Sequence, residues 1–159
     1  MKKFTALRRA AFGLSMCLMA TACAVSPSPR QQAATDPWLS RTLVAQEAAI
    51  SRAYNSCNLH ALRASLFAGT MIGMPDGRRV DPLIEARDRI CAHLHREVLP
   101  GSLSVRPIGD DSALVIGMQR FCGIVGDRCS QEGSQFTHLW TLNGEGWRVR
   151  WMRRAGDPL

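Results

Sequence analysis

Few side chains in this sequence combine the type and placement that chemistry requires. Tyr54, the single tyrosine, falls on the apolar stripe of an amphipathic helix, either as a pocket hydroxyl or as a core residue bonded to a carbonyl. His138 alternates with Phe136 and Trp140 on one strand face. An imidazole there either accepts and returns a proton in an apolar pocket or serves as a hydrogen-bonded core residue. Asp76, inside Pro75-Asp76-Gly77, reads as a solvated turn residue. His93 and His95 are two apart on a predicted helix and point about 200° from one another. His60 and His138 have no companions at ligand spacing, so neither a metal nor another cofactor is expected. Gly123, Gly126 and Gly133 belong to a strand connection with no helix following, which is not a phosphate-binding arrangement.

The six cysteines divide by position. Lys2, Lys3, Arg8 and Arg9 precede an apolar run from Ala10 to Ala22, too short to span a bilayer comfortably, so residues 1–22 read as a signal peptide. Cys17 leaves with it. Ala20-Thr21-Ala22-Cys23 resembles a bacterial lipobox, which makes Cys23 the lipidation candidate and places the protein in the periplasm, tethered to the membrane by that anchor alone. The alternative is a soluble secreted protein. Cys57, Cys91, Cys122 and Cys129 remain for an oxidising compartment and allow three pairings. Cys122 and Cys129 flank one loop, and a bond between them is the local choice.

Removing the leader takes four cations from the formal +7, leaving 16 Arg against 13 acidic residues. The arginines are scattered along the sequence, and a nucleic-acid partner is not expected. Residues 23–35, with Ser26, Pro27, Ser28 and Pro29, lack apolar periodicity and read as a flexible tether, so the domain occupies 36–159.

The elements that must position Tyr54 and His138 follow in order. Asp36-Pro37 starts a helix whose stripe is Leu39, Leu43, Ile50, Tyr54 and Cys57. Asn58 caps a second helix over Leu59 to Leu66. Thr70 to Met74 and Arg78 to Val80 form a short hairpin about the Pro75-Asp76-Gly77 turn. Asp81-Pro82 opens a third helix with the stripe Leu83, Ile84, Ile90, Cys91, Leu94 and Val98, and with Glu85 and Arg89 on its outer side. Four antiparallel strands are then expected over Ser102 to Ile108, Ser112 to Cys122, Ser134 to Leu142 and Trp147 to Arg153. In the last hairpin Phe136, His138, Trp140 and Leu142 share one face, and Trp147, Val149 and Trp151 share another.

This order resembles the nuclear transport factor 2-like superfamily, and within it the SnoaL-like and ketosteroid-isomerase-like branch. The residues that carry the resemblance are Leu66-Phe67 through Asp81, Asp111 through Gly117, and Phe136 through Trp140 followed by Gly146-Trp147-Arg148-Val149. It implies an α+β, cone-shaped domain with three helices packed on a curved, mainly antiparallel sheet. It further implies a small apolar ligand pocket, here with Tyr54, Met74, His138 and Trp140, and a homodimer through the outer sheet surface. That fold would also bring the stripes of Cys57 and Cys91 together, which selects the second disulfide. Ketosteroid isomerases similarly use a first-helix tyrosine as an oxyanion donor, matched here by Tyr54. Their base is an aspartate just before a proline, and this sequence has Met74 before Pro75. The expectation is therefore an exported, lipid-anchored binding domain without a complete catalytic set. The alternatives are a small acid/base enzyme acting through His138 and Tyr54, and a structural dimerising module of the cell envelope.

Overall fold

The computed structural model describes residues 36–125, 128–129 and 133–155. The expected signal peptide, Cys23 and the tether lie outside the described residues. Helix α1, Pro37–Asn55, begins as the sequence indicates: the Asp36 carboxylate accepts from the Trp38 amide at 2.9 Å, and Pro37 occupies the first turn. Helix α2, Leu59–Ala64, is capped by Asn58, whose side chain accepts from the Ala61 amide. Strands β1, Ile72–Gly73, and β2, Arg79–Val80, form a two-residue hairpin about Gly77, whose φ of +83° suits a residue without Cβ.

Asp81 caps α3, Pro82–Glu85, which continues through a π-helical stretch, Ala86–Ile90, into the single turn α4, Cys91–His93. The expected third helix thus ends before Leu94. Residues Leu94–Val98 are strand β3 instead, paired antiparallel with β5, Ser112–Gly123. Leu94 and Val98 are four apart, a spacing that fits a helical turn and a strand face equally well, and β5 needed an edge partner there. Two further expectations on this helix are corrected. Ile84 is half exposed, whereas Glu85, expected outside, is 3% exposed.

Strand β4, Ser104–Pro107, also pairs with β5, beyond β3 on the same edge. Strands β6, Ser134–Asn143, and β7, Gly146–Arg154, complete the antiparallel part. The sheet has seven strands in the order β2-β1-β7-β6-β5-β3, and it is mixed because β1 runs parallel to β7. Between Leu139 and Trp140 the register slips: Leu139 faces Trp151 while Trp140 faces Val149. Arg150 is the extra residue of that bulge. Val149 therefore points inward, and Trp151, expected beside it, turns out to the opposite face at 40% exposure.

The core lies between α1, α2 and the inner sheet face, built on Leu43, Ile50, Leu62, Val115, Trp140 and Val149. Burying one such aliphatic side chain contributes about 1.5–3 kcal/mol. Gly117 sits opposite Phe136, and a Cβ there would meet that ring at 2.8 Å. Its absence leaves the space that the ring occupies.

Two disulfides staple this frame in the pairing expected. Cys57 joins Cys91 across 34 positions, with Cα atoms 5.3 Å apart, and Cys122 joins Cys129 across seven. Cys57 ends α1 in a left-handed conformation, φ +55°. Both bonds fit an oxidising compartment outside the cytosol. Among the described residues no helix is long and apolar enough to cross a membrane.

Candidate functional site

The interior of the domain is organised by a carboxylate, not by the aromatic wall alone. Glu47 occupies the α1 turn between Leu43 and Ile50 and is fully buried. Its Oε1 accepts from the Trp140 indole N–H at 2.9 Å and lies 2.6 Å from His138 Nδ1. Burial alone would raise the Glu47 pKa, but His138, Arg96 and Trp140 outweigh it and hold the carboxyl below the usual range. An ionised carboxylate only accepts, so Nδ1 carries the imidazole proton.

Arg96, from β3, crosses the same space and is 4% exposed. Its Nε donates to Gln119 Oε1 at 2.7 Å and its Nη1 to Ser51 Oγ at 3.0 Å. The guanidinium stacks 4.8 Å from the Phe136 centroid. The Asn55 side chain clamps the backbone of Arg96 through two hydrogen bonds, so the last turn of α1 fixes where β3 passes. Arg96 Nη2 stands 3.8 Å from Glu47 Oε2, and neither atom has a hydrogen-bond partner.

Glu85 and Arg154 form a second buried pair. Arg154 makes a bidentate contact with Glu85, at 2.7 and 3.1 Å, and its guanidinium stacks over Phe121. The interior charges of Glu47, Glu85, Arg96 and Arg154 therefore cancel.

Tyr54 and His138, singled out from the sequence, do meet: both line a cavity of about 10 Å³ together with Arg96, Gln119 and Arg154. That is room for about one water molecule. Burial, and then the Glu85 charge, push the Tyr54 hydroxyl far above the ordinary tyrosine range, so it stays protonated. Met74 and Trp140 do not line this cavity. Met74 packs against the rim of the core and Trp140 is enclosed by it. The cavity's lining is mixed, since arginines and an imidazole share it with Ile72, Phe121, Phe136 and Met152.

A larger space opens on the other side of Arg96. Between α1 and the bend joining β3 to β4 lies a cleft of about 600 Å³. Val44, Ala48, Val98, Leu99, Pro100 and Leu103 form its apolar walls, while Glu47, Ser51 and Arg96 supply polar lining. Arg96 is thus the partition between cleft and inner cavity. Sequence reading missed Glu47 and Arg96 and placed Glu85 on the outer side of its helix. The signal for Glu47 was present as the one acidic residue that fills the gap at i+4 from Leu43 and i−3 from Ile50. Arg96 was hidden by the helical reading of 94–98. Among the described residues, the ligand-type atoms that cluster are those of Glu97, Cys122 and Cys129, within 4.8 Å of one another. Disulfide formation removes the thiolates that a metal would take.

No family model matches the sequence, and no curated protein matches it. Solved structures do resemble it. An NTF2-like protein from Cytophaga hutchinsonii aligns at TM-score 0.60 and 15% identity, covering 74% of this chain and 97% of that one. The association domain of C. elegans CaMKII aligns at TM-score 0.61 and 13% identity, covering 75% and 96%. A candidate dehydratase of the NTF2-like family from Streptomyces avermitilis aligns at TM-score 0.61 and 12% identity, covering 77% and 98%. Three helical stretches on an open, mostly antiparallel sheet, shared with these proteins at low identity, give the chain the NTF2-like fold.

Proposed function

We propose that this is an exported, lipid-anchored domain of the SnoaL-like kind that binds a small amphiphile in the cleft between α1 and the β3–β4 bend. The leader and Cys23 support export and anchoring, and the two disulfides are compatible with that compartment. The observation that carries the reading is the pair Glu47 Oε2 and Arg96 Nη2, buried without hydrogen-bond partners at the apolar cleft. Unpaired buried polar atoms cost free energy that a bound group would recover. A hydroxyl both donates to a carboxylate and accepts from a guanidinium, so the favoured ligand has an apolar body and an uncharged hydroxyl head.

Binding without turnover is favoured over proton-transfer catalysis because the cavity beside Tyr54 and His138 holds about one water. The test is thermal stability with 1-decanol and with decane. Decanol should raise Tm, decane should do so less, and Ala48→Trp, an exposed α1 position on the cleft wall, should abolish the shift. No shift with decanol, or an equal shift in the Ala48→Trp protein, overturns the reading.

A further inference from the structure

The outer face of the sheet carries an unused chemistry. Strand alternation and the β7 bulge place Arg106, Leu114, Leu139 and Trp151 in one row across four strands, as cross-strand partners. The adjacent row is Ser104, Ile116, Thr137 and Arg153. Leu114, Ile116 and Leu139 are incompletely covered, while Arg106, Arg150, Trp151 and Arg153 are exposed. Arg120 and Arg148 project from the same side, paired with Glu97 and Glu145. The arginines that look scattered in sequence are thus gathered: Arg79, Arg106, Arg120, Arg148, Arg150 and Arg153 lie on this side, and the carboxylates beside them are Glu97 and Glu145. A second copy laid on this face would set arginine rows against arginine rows, which like-charge repulsion disfavours.

We infer that this face lies on an anionic phospholipid surface. Trp151 supplies an amphipathic ring of the kind that settles at headgroup level, and the aliphatic stems of arginine cover apolar surface while their heads reach phosphate. The inference rests on the anchoring reading for proximity. The twelve residues between Cys23 and Asp36 reach at most about 43 Å when extended, comparable with the diameter of a domain this size, so any face can be presented to the membrane.

The test uses the full chain with vesicles of phosphatidylcholine alone or with a third phosphatidylglycerol, both brominated near the headgroup. Flotation and tryptophan quenching are read together. With the anionic vesicles the wild type should show quenching that disappears in Trp151→Phe. Arg106→Gln/Arg150→Gln/Arg153→Gln, all at exposed positions, should lower the face's lipid contact about a hundredfold, as the loss of three Arg–lipid attractions worth roughly fivefold each implies. Raising salt should do the same. Co-flotation with both vesicle types without Trp151 quenching would leave anchoring intact and overturn the inference. So would equal quenching in neutral vesicles, or a dimer that shields Trp151 from lipid. Flotation with neither vesicle type would count against both readings at once.

Discussion

Glu47 is the residue on which the interior depends, and its removal has a calculable cost. Glu47→Ala leaves the His138 and Trp140 N–H groups without their acceptor and the buried Arg96 charge without its carboxylate. Breaking a buried pair from one side costs about 3–5 kcal/mol, enough to unfold a marginal domain, and chemical denaturation would measure it. The pH dependence follows from the direction of the Glu47 shift. Because its pKa is depressed in the folded state, its stabilisation is present above the unfolded value of about 4.3 and drains away as pH falls through the folded pKa. Denaturation midpoints measured between pH 7 and pH 2 should therefore fall in the acid limb, and Glu47→Gln should flatten part of that fall. Glu85 and Arg154 make the complementary case. Glu85→Ala should also cost several kcal/mol, whereas Glu85→Leu/Arg154→Met should recover most of the loss, since matched apolar replacements for buried ion pairs are often close to neutral.

At the scale of elements, Gly117 and the disulfides set how closely the layers meet. Gly117→Ala would drive a methyl group into Phe136 and Leu103 at 2.8 and 2.7 Å, displacing the ring on which Arg96 stacks. A loss of about 1–3 kcal/mol in equilibrium unfolding is expected. Cys57→Ser/Cys91→Ser opens a ring of 34 positions, for which the chain-entropy model gives a ceiling of about 4 kcal/mol. Much of this level was legible in the sequence. Asp-Pro pairs marked where α1 and α3 begin, the Pro-Asp-Gly turn marked the short hairpin, and alternation marked β4 to β7. What escaped were the places where one pattern satisfies two periods. Leu94 and Val98 suit helix and strand alike, and only the edge of β5 decides between them. The bulge at Arg150 reverses the faces of Trp151 and of everything after it, and no local residue type announces it. Glu85 turns inward ahead of a π-helical stretch that shifts the helical phase.

For the whole molecule, the sequence conveyed the NTF2-like order of elements but not the character of the interior. Apolar periodicity identifies which faces are covered; it does not reveal that two of the covered positions on helices are glutamates matched by arginines from distant strands. The space expected to be an apolar cone is a charge-balanced network with room for about one water, and the apolar cleft lies beyond Arg96. The central claim is that this cleft seats an amphiphile whose head reaches Glu47. The Trp140 indole N–H donates to the same carboxylate and is fully buried, so it reports on that spot, while the exposed Trp38 and Trp151 report on the surface. Titration of ¹⁵N-labelled protein with 1-decanol should move the Trp140 indole resonance and the Arg96 Nε–H resonance in parallel, saturably, and leave Trp38 and Trp151 in place. Movement of the two exposed indoles alone, or of none, would contradict the account.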